Sequence, residues 1–488
     1  MVAEYKIYIA GKWTESESGE TFESLNPATG KTIGSFQKGS REDTRKAIES
    51  AENSFDGWRK MPPPKRGEIL LRASRLLREN KERLAGLVTL EMGKVLAEAR
   101  GDVQEAIDVA EYMAAEGRRL FGHTTTSELR SKFAMTIRMP LGVVGLITPW
   151  NFPVAIPAWK IMPALICGNA VVLKPSSDTP LCATEFVRIL EKAGVPKGVL
   201  NLVTGTPDGV GKEIVTNRKV RGVSFTGSRE TGEWIAKNAG IKRVGLELGG
   251  KNGIIVMPDA DLELAIDGII WGGYGTTGQR CTACSRVIAH EKIAGKVERK
   301  LLSRVRRLRV GDGKLKTTDV GPLINRHAVE KVHGYVAIGR DEGARLLAGG
   351  EIINRQGFFY RPTLFSDVAA DMRIAQEEIF GPVVGIIEAK NIDHAIDIMN
   401  SVRYGLSSAI YTNNVEWAFA AIQNIEAGIT YVNASTIGAE VHLPFGGMKE
   451  TGNGTREAGI EGINEFSEIK AVYIDYSGKL QRAQIDAG

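Results

Sequence analysis

Along the chain the spacing of apolar positions changes period several times. Residues 1–36 alternate every second position and are punctuated by Gly and Asn-Pro, the pattern of short strands and turns. From Arg41 to about Arg119 the period becomes helical. Ala47, Ile48, Ala51 and Phe55 form one apolar stripe, and Ile69, Leu70, Leu76, Leu77 and Leu84 form a second that ends near Met92 and Gly93. Pro62, Pro63 and Pro64 separate the first two helices, and residues 124–139 return to strand alternation as an excursion from the surrounding domain. From 140 onward, strand-like runs at 142–147, 170–173, 199–203, 222–225 and 253–257 alternate with helical segments at 156–166, 180–193, 208–216 and 229–238. That spacing predicts βαβ units on a parallel sheet, an α/β fold. A second set follows at 285–290, 292–308, 329–343, 383–388, 393–400, 407–412, 415–425 and 429–433, and the tail at 471–477 has strand propensity.

Composition narrows the class. The chain has 488 residues, 43% hydrophobic and 25% charged, which excludes disorder and collagen and suggests two or three domains. Four cysteines cannot build a disulfide framework, so a reducing, cytoplasmic setting is expected. A net charge of +5 is too slight to argue for nucleic acid or a membrane surface, and the basic helix at 292–308 reads as a solvated face. No apolar run approaches a membrane span, and the first residues lack a signal-peptide core. The six histidines are scattered, so no metal is expected.

Five segments concentrate chemistry. Cys281 follows a Gly/Thr loop and stands beside Gly278, Gln279 and Arg280, a polar, open and cationic setting that would populate a thiolate. Cys167, in an apolar run, reads as a buried hydrophobe. Cys281 and Cys284 form a C-x-x-C pair, for which a dithiol couple is the minor reading and oxidative inactivation another. Glu247, between two leucines and ahead of two glycines, is a candidate carboxyl of raised pKa and a general base. Asn151, flanked by Pro149 and Pro153 at a strand end, is a candidate oxyanion donor. The strand-turn-helix at Phe225–Gly232 suits phosphate at a helix N-terminus, and Lys174 with Ser176 and Ser177 offers a cation and hydroxyls at another strand end.

Together these segments resemble the aldehyde dehydrogenase superfamily over nearly the whole chain. TPWNFP, KPS, FTGS, ELGGK, GQRC, EEIFGPV and PFGG occur in that family's order. The resemblance implies that Cys281 attacks the aldehyde, that Asn151 holds the oxyanion, and that Glu247 activates water against the thioester. It also implies cofactor contacts from Ile147, Trp150, Lys174, Ser177, Gly227, Ser228, Leu248, Glu378 and Phe380. A substrate tunnel would be lined by Phe152, Trp159, Arg280 and Phe445. The implied fold has a five-stranded Rossmann-like cofactor domain (1–119 and 140–248) and an α/β catalytic domain (249–448). A small β oligomerisation element (120–139 with 449–488) would build a homodimer or homotetramer.

Ser177 stands where many NAD-preferring members carry a Glu. A carboxylate there would repel a 2′-phosphate by roughly 4 kcal/mol at about 4 Å and an effective dielectric near 20, an upper-end figure. NADP is therefore the expected preferred cofactor and NAD the second, against the bland reading that Ser177 is neutral. Arg280 has two readings, an anchor for an anionic aldehyde or a residue that serves only the thiol and the structure. The subgroup resemblance is to 2-oxoglutarate semialdehyde dehydrogenases and archaeal glyceraldehyde-type dehydrogenases. A coenzyme-A-acylating enzyme would keep Cys281, but Glu247 argues for water as the acceptor. Esterase activity without cofactor is a possible side reaction of the same cysteine, and a non-catalytic structural role would not require Cys281, Glu247 and Asn151 together.

Overall fold

A computed structural model describes residues 3–485. Two seven-stranded sheets dominate it. In the first, the strands Arg243–Glu247, Val220–Thr226, Val143–Ile147, Ala170–Lys174 and Leu200–Leu202 run parallel in that order. The antiparallel hairpin Ile7–Ile9 and Lys12–Thr14 extends the edge, so the expected five-stranded sheet gains two strands. The parallel strands are apolar on both faces because helices cover both. Val144, Leu146, Val171 and Leu173 pack with helices Leu96–Glu116, Ala155–Cys167 and Pro180–Ala193. Val143, Val172, Val223 and Phe225 meet Ala47, Ile48 and Ala51 of helix Arg41–Lys60. Ser40 starts that helix with a capping box: its Oγ accepts the Asp43 N–H at 3.1 Å, and Asp43 accepts the Ser40 N–H at 2.9 Å.

The stripe Ile69–Leu84 is not one helix. Pro63–Glu79 and Lys81–Met92 are separate helices joined at Asn80, whose Nδ2 donates back to the Leu76 carbonyl at 2.8 Å. Leu84 packs from the second of them, so the uninterrupted apolar period hid a break made by one side chain.

The second sheet orders Arg345–Ala348, Thr363–Ser366, Val383–Ala389, Cys284–His290, Asn252–Val256, Ser407–Tyr411 and Ile429–Val432, all parallel except the first. Helix Leu262–Tyr274, absent from the pattern reading, is capped by Asp261, which accepts the Leu264 N–H at 3.1 Å. Helix Glu291–Val305 carries its basic face on the surface, where Arg304 and Lys300 meet Asp267 and Glu263.

Strand Ser467–Asp475 pairs antiparallel with Lys132–Pro140 over nine residues, and Thr124–Thr126 completes a small third sheet. Between the second sheet and this strand the chain folds back onto the first sheet: Gly452 bridges Glu247, Glu457 bridges Phe445, and helix Gly459–Glu465 packs on Ala155–Cys167. Among the described residues no helix is long and apolar enough to cross a membrane, and no group of three or more His, Cys, Asp or Glu is placed to hold a metal ion.

Candidate active site

Cys281 sits on a loop between helix Leu262–Tyr274 and strand Cys284–His290, and that loop is held from several sides. Thr276 and Thr277 take left-handed backbone at φ 51° and 60°, a conformation that costs non-glycine residues energy and needs fixing. Thr276 N–H donates to Glu98 at 2.8 Å, and Thr277 Oγ1 donates to the Gly321 carbonyl at 3.1 Å. Buried Gln279 accepts the Ile324 N–H at 2.9 Å and donates to the carbonyls of Thr276 and Pro322. A side chain at Gly278 would meet the Gly381 carbonyl at 2.2 Å, so only glycine lets these two loops approach. Asn252 donates to the Cys281 carbonyl at 2.7 Å, and Asn151 Nδ2 donates to the Gln279 carbonyl at 3.1 Å, which places its amide beside the cysteine loop.

The cationic setting expected for Cys281 is not what the structure holds. Arg280 turns away: its Nε donates to Thr276 Oγ1 at 2.8 Å, its Nη2 meets Glu98 at 3.5 Å, and the rings of Phe152 and Trp271 flank it at 5.3 and 5.0 Å. Burial, with Glu378 and Glu247 nearby, pushes the Cys281 thiol up to about 12. The backbone N–H groups of Thr282 and of Cys281 itself oppose that rise. The resting group is thus a neutral thiol that needs a proton acceptor, facing amides suited to negative charge.

Glu247 ends strand Arg243–Glu247, is 4% exposed, and neither carboxylate oxygen has a hydrogen-bond partner among the described residues. Gly446 leaves the room: a Cβ there would lie 2.7 Å from Glu247 Oε1. Burial raises the Glu247 carboxyl well above the ordinary range, Glu457 and Glu465 add to it, and Lys160 opposes. Lys160, fully buried in an otherwise apolar helix, donates to Ser224 Oγ at 2.8 Å and pairs with Glu457. The sequence reading passed over Lys160, Glu457 and Glu465. A lone Lys in AIPAWKIMPALIC was the available signal, because such a charge is buried only where partners await it.

Three adjoining cavities bring the expected residues together. The outermost, about 660 Å³, lies at the C-terminal ends of the first sheet and is lined by Ile147, Trp150, Lys174, Ser177, Gly227 and Ser228. The middle one shares Trp150, Gly227 and Ser228, and adds Asn151, Leu248, Cys281, Glu378 and Phe380. The inner one, about 160 Å³, shares Cys281 and Leu248, and adds Phe152, Trp159, Glu247, Arg280 and Phe445. Trp150 meets Phe380 edge to face at 5.4 Å, and Trp159 meets Phe445 likewise at 5.0 Å. Glu378 accepts the Gly250 N–H at 2.9 Å, and burial raises its carboxyl.

The outer and middle cavities suit a dinucleotide. Ser228 caps helix Arg229–Asn238, whose N-terminus opens on the cleft. Thr226 Oγ1, at the junction of the cavities, is buried without a hydrogen-bond partner among the described residues. Lys174 is 5% exposed, donates among the described residues only to the Pro175 carbonyl at 3.1 Å, and is lowered by burial to about 8. An added hydroxyl or phosphate would satisfy both.

Residues 13–472 match the model of the aldehyde dehydrogenase family. The chain belongs to that family. It is 39% identical to the alpha-ketoglutaric semialdehyde dehydrogenase of Bacillus subtilis, over 96% of this chain and 98% of that protein. It is 38% identical to the D-glyceraldehyde dehydrogenase (NADP(+)) of Picrophilus torridus, over 97% and 96%. The solved structure of an NAD-dependent aldehyde dehydrogenase from Sinorhizobium meliloti superposes with a TM-score of 0.96 at 37% identity, covering 99% of this chain and 97% of that one. As an aldehyde dehydrogenase the chain is an oxidoreductase with a nicotinamide cofactor, and aldehyde oxidation is its reaction class.

Proposed function

We propose that this aldehyde dehydrogenase oxidises a short aliphatic aldehyde with a polar far end, a semialdehyde or hydroxyaldehyde, to the free acid, and uses NADP in preference to NAD. The observation that carries the reading is the placement of Cys281 on the wall between the dinucleotide-sized cleft and a small inner cavity that also holds Glu247. The cavity's aromatic lining, Phe152, Trp159 and Phe445, grips a short chain, while Arg280 supplies the polar end. The relatives named for alpha-ketoglutaric semialdehyde and D-glyceraldehyde support this substrate class.

Cys281 Sγ bonds to the aldehyde carbon, and its proton passes to a carboxylate, for which Glu247 is the group at hand. The Asn151 amide and the Cys281 backbone N–H take the negative charge on the carbonyl oxygen. When bound, the nicotinamide supplies the hydride acceptor, and Glu378, Trp150 and Phe380 hold its end of the cleft. Once Glu247 has released the thiol's proton to solvent, the thioester left on Cys281 yields to a water from which Glu247 removes a proton, which passes to the departing sulfur as the acid and the thiol are released.

For the cofactor, the supporting feature is the absence of a carboxylate at position 177 beside Lys174. Lys212, at the rim of the same cavity, is paired with Asp208 at 2.6 Å, and Asp178 is engaged by Asn325 at 3.1 Å. Ser177 Oγ itself donates to the Gly205 carbonyl at 3.1 Å and must turn from it to serve a phosphate. The test is kcat/KM for NADP against NAD with glyceraldehyde and with 2-oxoglutarate semialdehyde. NADP is expected to lead in the native enzyme, and Ser177→Glu should lower NADP use about 100-fold while changing NAD use by only a few-fold. Equal losses on both cofactors would remove the charge argument.

Strand Ser467–Asp475 leaves Ile469 and Tyr473 exposed, 57% and 66%, which supports self-association through the small sheet. Sedimentation should return a dimer or tetramer.

A further inference from the structure

The inner cavity holds an acid that the reaction above does not use. Glu105, on helix Leu96–Glu116, lines it together with Phe152, Arg280 and Cys281. Its carboxyl makes no hydrogen bond among the described residues, although the charged groups around it are matched. Lys94 pairs with Asp102 at 3.0 Å and lies over the Phe152 ring at 3.6 Å. Arg280 faces Glu98 at 3.5 Å. Two cations therefore meet two acids, and Glu105 is the third acid, without a cation of its own. Arg280 Nη1 donates to no described residue, and Arg280 and Glu105 line the same cavity together with the aromatic rings of Phe152, Trp159 and Phe445.

We propose that Glu105 is a specificity-determining residue which, in its neutral carboxyl form, donates a hydrogen bond to the anionic 2-oxo-acid end of a semialdehyde whose carboxylate is held by Arg280. This rests on the proposed substrate class and deepens it. Two negative groups cannot share a water-poor cavity with one half-neutralised cation, so an anionic aldehyde selects the protonated acid, whereas a hydroxyaldehyde without charge binds either form. The surroundings point the same way. Burial, then Asp102 and Asp108 from its own helix, raise the Glu105 carboxyl to about 8, while Arg280 and Lys94 oppose the rise. Glu98 faces Arg280 from the same helix, and Glu247, Glu457 and Cys281 face Glu105 across the cavity, none of them adding positive charge.

The sign follows. Below about pH 8 the carboxyl carries its proton and anion binding is strong; above it the proton is lost and anion binding weakens, by about tenfold per pH unit. The probe is 2-oxovalerate, which keeps the 2-oxo acid and replaces the aldehyde by a methyl group, so its binding does not depend on turnover. Titration calorimetry in buffers of different ionisation heat would read its Kd and the protons taken up, in the native enzyme and in Glu105→Gln. The native enzyme should bind it with a Kd that climbs above about pH 8 and with proton uptake approaching one per site near pH 9. Glu105→Gln, which keeps a neutral donor, should show a flat Kd and no uptake. A pH-independent Kd in the native enzyme, an unchanged pH slope in Glu105→Gln, or no binding to either would overturn the proposal. Turnover of 2-oxoglutarate semialdehyde, measured separately with NADP, reads the proposed reaction. Turnover without pH-linked binding sinks only the Glu105 role, and pH-linked binding without turnover sinks only the reaction.

Discussion

Cys281→Ala is expected to remove dehydrogenase turnover and hydrolysis of nitrophenyl esters alike, each by about 10⁴-fold or more, because both reactions pass through the same acyl-sulfur bond. Cofactor binding should survive, with Kd for NADP within about twofold by fluorescence quenching, since of the two dinucleotide cavities Cys281 lines only the middle one, and the outer one, with Lys174 and Ser228, contains no atom of it. The loop should also keep its shape. Asn252, Asn151, Gln279 and Thr276 fix it through backbone groups, and none of these bonds uses the sulfur. Cys284→Ala is the matching control. Its sulfur is buried on the strand and points to the Arg286 carbonyl at 3.5 Å, away from the cavities, so this variant should lose little activity. Turnover retained by Cys281→Ala, or lost equally by Cys284→Ala, would refute the nucleophile assignment. The neutral state of the half-buried resting thiol adds a pH expectation: alkylation of Cys281 by iodoacetamide in the absence of cofactor should be slow near neutrality and accelerate up to the alkaline limit, as for a thiol pushed up to about 12.

The parts of the molecule that the sequence made legible are those where one local signal decides the outcome. Apolar runs such as Val143–Ile147 and Ala170–Lys174 are buried on both faces, so their alternation with helices dictated a parallel sheet and placed Asn151, Lys174 and Thr226 at its C-terminal rim. Four of the seven short motifs, TPWNFP, KPS, FTGS and ELGGK, lie at strand ends of that rim, whereas GQRC and EEIFGPV lead into the strands Cys284–His290 and Val383–Ala389 of the second sheet. Features that depend on side chains meeting across the fold stayed hidden. The break at Asn80 came from a single amide bonding the Leu76 carbonyl inside an unbroken apolar stripe. Arg280, adjacent to Cys281 in sequence, lends the thiol no positive charge because Glu98 and Thr276, from elsewhere in space, hold its guanidinium. Glu105 and Lys160 sit on helices whose periodicity reports only that a face is buried, not that a buried face contains a charge with a task.

Glu247→Gln tests the other half of the reaction. The substitution keeps the shape that Gly446 accommodates but removes a carboxylate that lines the inner cavity with Cys281 and whose oxygens bond to no described residue. Deacylation should slow by about 10²–10⁴-fold, the range for loss of a positioned base. At alkaline pH, where hydroxide takes the thiol proton, acylation no longer depends on Glu247, and there a burst of reduced cofactor should precede the slow steady state. Intact-mass measurement after quenching in acid should show the chain plus one acyl group. In the native enzyme the sign of the pH dependence is fixed by the direction of the Glu247 shift. Burial with Glu457 and Glu465 keeps the carboxyl protonated to higher pH than usual, so deacylation should rise with pH as it ionises and then level off. Glu247→Gln should flatten that rise while leaving the 2-oxovalerate titration of Glu105 in place, which separates the two buried acids of one small cavity. A deacylation rate that still climbs with pH in Glu247→Gln, with no acyl-enzyme detectable by mass, would move the base elsewhere, and the next candidate is Glu457, paired with Lys160 on the same wall.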